Sequence, residues 1–278
     1  MKSRSPGGGI MLRLVHSLVV SAALILMSPT AQAMPAFDQI VVFGDSLSDN
    51  GNAGRFSNGP VWVEHLAERL GLTLRPSRMG GSNFAVGGAR LDPQSGNTSL
   101  RAQASAYLRA PRSGGRSLHI VYGGGNDLLA AVGDPRAQAM IETAVASLRS
   151  IVADLVGQGA TDILVPNLPG IGITPAVQAK GSQAVPAANQ LAGRFNAAVD
   201  RALSDFAGSP GVRLHRLDVW QLAERLQADP AAAGFVDIAN PCSQRPSCEG
   251  YLFWDNVHPT TQAHRRLADA AAQALDVP

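Results

Sequence analysis

The sequence predicts an α/β fold in which a parallel sheet carries helices on both faces. Strand-like and helix-like segments alternate along most of the chain, which is the order produced by repeated strand–helix units. The first strand-like run, Gln39–Val42, is short and rich in β-branched residues, as is typical of a buried strand. Glycine, aspartate and serine follow it directly. Because ligands of open α/β sheets bind at the carboxyl ends of the strands, we expect the functional site at that edge.

The individual elements are predicted in chain order. Four segments are predicted to be strands: Ile40–Phe43, Leu118–Tyr122, Ile163–Pro166 and Val212–Leu217. Six segments carry helical patterns: Val61–Leu70, Leu100–Leu108, Ala137–Val156, Ala187–Phe206, Trp220–Gln227 and Thr261–Leu275. Three connections rich in Gly, Pro and Ser predict surface loops near the sheet edge: Arg75–Gly81, Asp92–Asn97 and Pro230–Gly250. Because no repeat or low-complexity linker interrupts this order, we expect one domain.

The N-terminal segment has the pattern of a secretory signal peptide. Basic residues precede an apolar run, Leu14–Met27, and the small-x-small sequence Ala31-Gln32-Ala33 follows it. The apolar run is shorter than the roughly 20 residues that a membrane-spanning helix needs, which disfavours a membrane anchor. We therefore expect residues 1–33 to be a signal peptide cleaved after Ala33, and residues 34–278 to form the mature domain.

Composition and charge exclude some partners. Hydrophobic residues make up 45% of the chain, which is enough for a sizeable core. Without residues 1–33, which carry three basic and no acidic side chains, the basic and acidic residues nearly balance. No basic patch with interleaved aromatic residues remains, so we expect no nucleic-acid partner.

The two cysteines, Cys242 and Cys248, both lie in the mature part. Export to an oxidising compartment favours a disulfide between them. Two cysteines six residues apart without nearby paired histidines are a poor zinc set, so we expect no metal site.

Ser46 is the candidate nucleophile, in the segment Phe43–Asn52 that follows the first strand. The alternative is that Ser46 or Asp45 simply caps a helix. No glycine stands two residues after Ser46, so the segment is not the nucleophile elbow of α/β-hydrolases.

His258 is the candidate base, in the segment Trp254–Thr260. Asp255 precedes it by three residues, and a tight turn could place the Asp255 carboxylate against Nδ1 and leave Nε2 free to face Ser46. The alternative is a helix-entry turn with an incidental histidine. The other mature histidines fall within predicted helices or strands, where packing or surface roles are more common: His65, His119, His215 and His264.

Donors for a developing oxyanion have two candidate sources. One is Gly123–Asp127, directly after the second predicted strand, where the side-chain amide of Asn126 could donate a hydrogen bond. The other is Asn83–Ala89, where a glycine N–H could donate. Ordinary tight turns are the alternative for both. Neither segment matches a phosphate-binding loop.

Taken together, these segments resemble the GDSL, or SGNH, hydrolase family. Four blocks match in the family's order: Phe43–Asp49, Asn83–Gly88, Gly124–Asp127 and Asp255–Pro259. Two further segments, Asn58–Trp62 and Val165–Pro169, resemble the secreted phospholipase/lecithinase/hemolysin branch, which includes esterase passengers of autotransporters. The resemblance extends over most of residues 38–270 and implies a flavodoxin-like three-layer α/β/α sandwich.

The resemblance also implies a role for each matching residue. Ser46 would be the nucleophile, His258 the base and Asp255 its orienting acid. The implied oxyanion hole consists of the Ser46 N–H, the Gly88 N–H and the Asn126 amide, with Gly87 as the neighbouring alternative to Gly88. No cofactor or metal is implied.

We therefore expect a secreted or periplasmic ester hydrolase that forms an acyl-enzyme on Ser46. An acyltransferase that passes the acyl group to an alcohol is the alternative, and a non-catalytic lipid- or carbohydrate-binding module is a further one. The expected partner is a small-molecule or lipid ester, bound by a monomer without a stable membrane anchor. Four aromatic residues near the motifs could line an acyl pocket or belong to the core: Phe56, Trp62, Phe84 and Trp254. The absence of a long apolar lid segment favours short-chain or partly soluble esters.

Overall fold

A computed structural model describes residues 36–110 and 114–277. The signal peptide and the cleavage site after Ala33 lie outside the described residues. They therefore remain predictions.

A four-stranded parallel sheet forms the centre of the domain. Its strands are β1 (Gln39–Gly44), β2 (Ser117–Tyr122), β3 (Asp162–Pro166) and β4 (Arg213–Leu217). They lie in the order β1-β2-β3-β4, and each neighbouring pair is parallel. The register pairs Val42 with Ile120 and Ile120 with Leu164. All four strands match the segments predicted from the sequence.

A further segment, residues 82–86, runs parallel along the free edge of β1. The Val42 N–H donates to the Ser82 carbonyl at 3.0 Å, and the Phe84 N–H donates to the Val42 carbonyl at 2.8 Å. Counted as a strand, this segment is the second along the chain. The five strands then lie side by side in the order 2-1-3-4-5, which is the flavodoxin-like order. No strand was predicted here, because the apolar run from Phe84 to Val86 is short and glycines flank the segment on both sides.

Helices flank the sheet. They are α1 (Trp62–Arg69), α2 (Leu100–Arg109), α3 (Gly125–Ala131), α4 (Ala137–Gly157), α5 (Pro175–Gln178), α6 (Ala184–Ala207), α7 (Val219–Ala228) and α8 (Thr261–Ala274). The six predicted helices are present with ends shifted by a few residues. Helices α3 and α5 were not predicted, since α3 begins within a glycine cluster and α5 has only four residues. The α/β fold with a central parallel sheet is confirmed.

A small second sheet lies close to the C-terminal end of the domain. Strands β5 (Asp237–Pro241) and β6 (Tyr251–Phe253) form a parallel pair. The prediction of a loop throughout Pro230–Gly250 is therefore wrong for β5. All five residues of that strand are half-buried or exposed, so it lacks the apolar alternation that marks a strand in a sequence.

The core lies on the strands and on the helix faces that cover them. Val41, Val42 and Phe43 of β1 are fully buried, as are Leu164 and Val165 of β3. A smaller apolar cluster joins α7 to the second sheet and contains Leu226, Phe235, Leu252 and Phe253. None of the helices in the described ranges combines the length and hydropathy needed to cross a bilayer.

Candidate active site

The structure brings Ser46, His258 and Asp255 into one hydrogen-bonded chain. Ser46 lies in the turn after β1, and the other two residues lie in the loop between β6 and α8. His258 Nε2 lies 2.8 Å from Ser46 Oγ, and His258 Nδ1 lies 2.8 Å from Asp255 Oδ2. This is the arrangement in which a carboxylate orients an imidazole that can accept a hydroxyl proton.

Local hydrogen bonds fix the loop that carries His258. Asp255 Oδ1 accepts the N–H groups of Val257 at 2.8 Å and of His258 at 2.6 Å. The His258 carbonyl accepts the Trp254 N–H at 2.8 Å. The Asp255 carboxylate thus holds both the backbone and the ring of His258. This explains how an acid only three residues before the histidine can orient its ring.

The environment keeps the Asp255 carboxyl group ionised. Burial by itself would raise its pKa, but the hydrogen bonds from the His258 ring and from the His258 and Val257 N–H groups outweigh that effect and lower the pKa below its usual value. Asp255 can therefore stabilise a positive charge on the imidazole throughout the neutral pH range.

The turn at Ser46 leaves one backbone N–H group unused. The Asp45 carbonyl accepts the N–H groups of Ser48 at 3.1 Å and Asp49 at 3.0 Å, and Asp45 Oδ1 accepts the Leu47 N–H at 3.0 Å. Among the described residues, the Ser46 N–H has no acceptor. Burial raises the pKa of Asp45 to about 6, so this carboxyl group titrates close to neutrality beside the serine.

Hydrogen bonding distinguishes the two candidate glycines, Gly87 and Gly88. The Gly87 N–H donates to Asp49 Oδ2 at 2.8 Å, whereas the Gly88 N–H meets no acceptor within residues 36–110 and 114–277. Gly88 has a φ of 76°, a left-handed conformation that favours glycine. Of the two, only Gly88 has a free N–H.

Asn126 lies in the first turn of α3 and is tied to the same segment. Its Nδ2 donates to the Ala89 carbonyl at 2.9 Å, next to Gly88. An amide nitrogen carries two N–H groups, so a second one stays available. The neighbouring Asp127 accepts the N–H groups of Leu91 at 2.9 Å and Asp92 at 3.0 Å, which anchors α3 to residues 89–92.

A cleft of about 170 Å³ opens beside the serine. Ser46, Asn126 and His258 are among its lining residues. Aliphatic side chains predominate among the others, and six of them come from the loop after β3, from α7 and from β6: Leu168, Ile171, Val219, Leu222, Leu226 and Leu252. We call this set of six residues the apolar wall. The apolar wall is not evident from the sequence, because each residue alone is an ordinary apolar position in a loop, helix or strand.

The four aromatic residues considered as pocket residues lie outside this cleft. Trp62 is fully buried and its Nε1 donates to Ser48 Oγ at 3.0 Å. Phe84 stacks on Phe43. The Phe56 ring packs against the ring of His258, with 5.2 Å between centroids. None of the four is among the residues that line this cleft, and the core alternative holds for the fully buried Trp62.

The predicted disulfide is present. Cys242 and Cys248 are joined, with 5.1 Å between their Cα atoms. The Cys242 N–H donates to the carbonyls of Phe253 at 3.1 Å and Trp254 at 3.2 Å. The disulfide loop is thus hydrogen-bonded to the residue that precedes Asp255.

Comparison with known proteins identifies the family. The model of the GDSL-like lipase/acylhydrolase family matches residues 40–271. This chain belongs to that family. The identification that the four sequence blocks suggested is therefore confirmed, and so is the predicted enzyme class, a carboxylic ester hydrolase.

The GDSL relatives differ in their activities. The chain is 28% identical to the phosphatidylcholine-sterol acyltransferase of Aeromonas hydrophila, over 88% of this chain and 92% of the relative. It is 29% identical to esterase EstA of Pseudomonas aeruginosa, over 96% of this chain and 52% of EstA, so it spans about half of that relative. The acetylxylan esterase Axe2 of Geobacillus stearothermophilus shares the fold with a TM-score of 0.54 and 17% identity, over 86% of this chain and 94% of Axe2.

Proposed function

We propose that this GDSL family member hydrolyses carboxylic esters through an acyl-enzyme on Ser46. The observation that carries the proposal is the hydrogen-bonded chain from Asp255 through His258 to Ser46, with 2.8 Å at each step. A serine hydroxyl is a weak nucleophile unless a neighbouring base removes its proton, and His258 Nε2 is within reach to do so.

In the first half of the reaction, Ser46 Oγ attacks the ester carbonyl carbon and transfers its proton to His258 Nε2. Asp255 holds the ring with Nδ1–H toward its carboxylate and stabilises the imidazolium. The negative charge on the former carbonyl oxygen is accepted by three donors: the Ser46 N–H, the Gly88 N–H and the Asn126 amide. Collapse of this intermediate breaks the ester C–O bond, and the leaving alkoxide takes the proton from His258.

In the second half, water replaces the alcohol. It loses a proton to His258 and attacks the acyl carbon. Collapse of the second tetrahedral intermediate breaks the bond to Ser46 Oγ, which takes the proton back from His258 as the acid leaves. An alcohol in place of water would give acyl transfer. That second candidate is favoured by the likeness to the Aeromonas acyltransferase over 92% of the relative's length.

We also propose that the protein acts outside the cytoplasm. The signal-peptide pattern of residues 1–33 and the Cys242–Cys248 disulfide support export. N-terminal sequencing of exported protein is expected to begin at Met34, and export of the uncleaved chain would contradict the proposal.

The first prediction concerns Ser46→Ala. With p-nitrophenyl butyrate, we expect kcat to fall by about a thousandfold or more, since the nucleophile is lost while binding and the oxyanion donors remain. The control is Ser204→Ala, the same change at an exposed serine of α6 whose Oγ donates to the Arg201 carbonyl at 2.9 Å. Adding methanol to the wild-type reaction and measuring methyl butyrate against butyric acid separates transfer from hydrolysis. Turnover near the wild-type level in Ser46→Ala would refute the acyl-enzyme on Ser46.

A further inference from the structure

The cleft beside Ser46 combines the reacting groups with a largely aliphatic lining. Ser46, His258 and Asn126 border it, and the ester group must react beside them. The apolar wall comes from three regions of the fold, namely the loop after β3, helix α7 and strand β6. An ester that reacts at Ser46 therefore has one side that faces aliphatic carbon.

Five other polar or charged residues line the cleft, namely Asp45, Tyr122, Thr174, His264 and Arg266, but none of them belongs to the apolar wall. His264 is 1% exposed, and burial together with the positive fields of His65, His258 and Arg55 lowers its pKa to about 3, so the ring is neutral at pH 7. Arg266 is exposed, and its Nε donates to the Ala233 carbonyl at 3.2 Å. A sugar ring placed against the apolar wall would leave its hydroxyl groups without partners, which is costly.

Resting on the proposed function, we propose that the apolar wall binds the acyl chain of the substrate and that the enzyme selects esters of medium-length aliphatic acids over acetyl esters. The cleft's 170 Å³ is close to the volume of the ~150 Å³ apolar cavity that binds benzene, so it encloses about six carbons. A longer chain would extend past the wall into solvent and gain little more.

Helix α7 offers a position where the cleft can be narrowed. Ala223 is half-buried, lines the cleft and stands between residues 222 and 226 of the apolar wall. Ala223→Phe would place an aromatic ring where the acyl chain is proposed to lie. Gln221→Phe adds the same ring at an exposed position two residues earlier, about 200° around the helix. It serves as the matched control.

The test is the chain-length profile of kcat/KM for p-nitrophenyl esters from acetate to dodecanoate. In the wild type, kcat/KM should rise by up to about fourfold per methylene as far as about six carbons, the fold-change that corresponds to about 0.8 kcal/mol per buried CH₂. It should then level off. In Ala223→Phe, the ratio of kcat/KM for hexanoate to that for acetate should fall by about tenfold or more, whereas Gln221→Phe should keep the wild-type ratio.

Val219→Thr provides a second, nearly isosteric variant in case Ala223→Phe does not fold. Its hydroxyl group would face the acyl chain and should also lower the hexanoate-to-acetate ratio. A wild-type profile that is flat or falls from acetate onward would overturn the inference while leaving ester hydrolysis intact. An unchanged ratio in folded Ala223→Phe or in Val219→Thr would do the same. Failure of the proposed function would look different, because no ester of any length would be hydrolysed.

Discussion

At the scale of single residues, Asp49 joins two parts of the candidate site. Its carboxylate is fully buried and accepts four backbone N–H groups. Three come from its own loop, namely Gly51 at 2.8 Å, Asn52 at 2.6 Å and Ala53 at 2.9 Å, and the fourth is Gly87 at 2.8 Å. The loop after Ser46 is thereby held against the segment that carries Gly88.

This contact also determines which glycine can serve the oxyanion. Because Asp49 occupies the Gly87 N–H, the neighbouring Gly88 N–H is the one left to donate. Gly87 has a further constraint, since a Cβ there would lie 2.3 Å from the Phe56 ring. Asp49 is in this account a positioning residue that acts through Gly88.

The prediction at this scale is that Asp49→Asn lowers kcat by about tenfold or more, because the carboxamide NH₂ group would face N–H donors and shift the Gly88 segment. KM should change little, since the cleft is not touched. The control is Asp92→Asn, whose carboxylate accepts the Gln94 N–H at 2.9 Å at an exposed turn. A lower melting temperature with unchanged kcat would show that Asp49 has a structural role only.

At the scale of elements, α8 carries an unusual buried group. His264 lies on α8, and neither of its ring nitrogens has a hydrogen-bond partner among the described residues. Its pKa of about 3 in the folded protein compares with the usual 6.5. Between these two values the unfolded chain binds a proton that the folded chain does not. The contribution of His264 to the free energy of unfolding is therefore at its full value above pH 6.5. It is lost as the pH falls from 6.5 toward 3, because protonation then favours the unfolded chain.

We predict that His264→Leu makes the protein less sensitive to acid. At pH 5 the wild type should have lost about 2 kcal/mol of unfolding free energy through this group, which the leucine cannot lose. The measurement is urea unfolding of both proteins at pH 8 and pH 5. At pH 8 the ring is neutral in both states, so that pair of values is the reference. An equal difference between the two proteins at both pH values would contradict the prediction.

The strands and helices differ in how well they could be predicted from the sequence. The strands β1 to β3 and the long helices could be predicted because their apolar residues repeat with the period of a buried face. Segment 82–86 was not predicted as a strand, although it hydrogen-bonds along β1, because glycines flank it. Helix α3, whose first turn contains Asn126, was not predicted either, because it begins in a glycine cluster.

At the scale of the whole molecule, the fold brings together segments more than 200 residues apart in the chain, as with Ser46 and His258. The short spacing of Asp255 and His258 and the position of Ser46 after a strand could be read from the sequence. The apolar wall could not, because its six side chains share no motif and meet only through the packing of α7 and β6 beside the sheet. Substrate selection by this cleft therefore follows from the three-dimensional structure and not from any sequence motif.

Covalent labelling with a fluorophosphonate, followed by intact mass and peptide mapping, shows which hydroxyl group is the nucleophile. We predict one adduct per chain, on Ser46, because His258 activates that hydroxyl group alone. The adduct should be absent from Ser46→Ala and should form much more slowly in His258→Ala. Labelling at another residue, or equal labelling of the wild type and Ser46→Ala, would contradict the account.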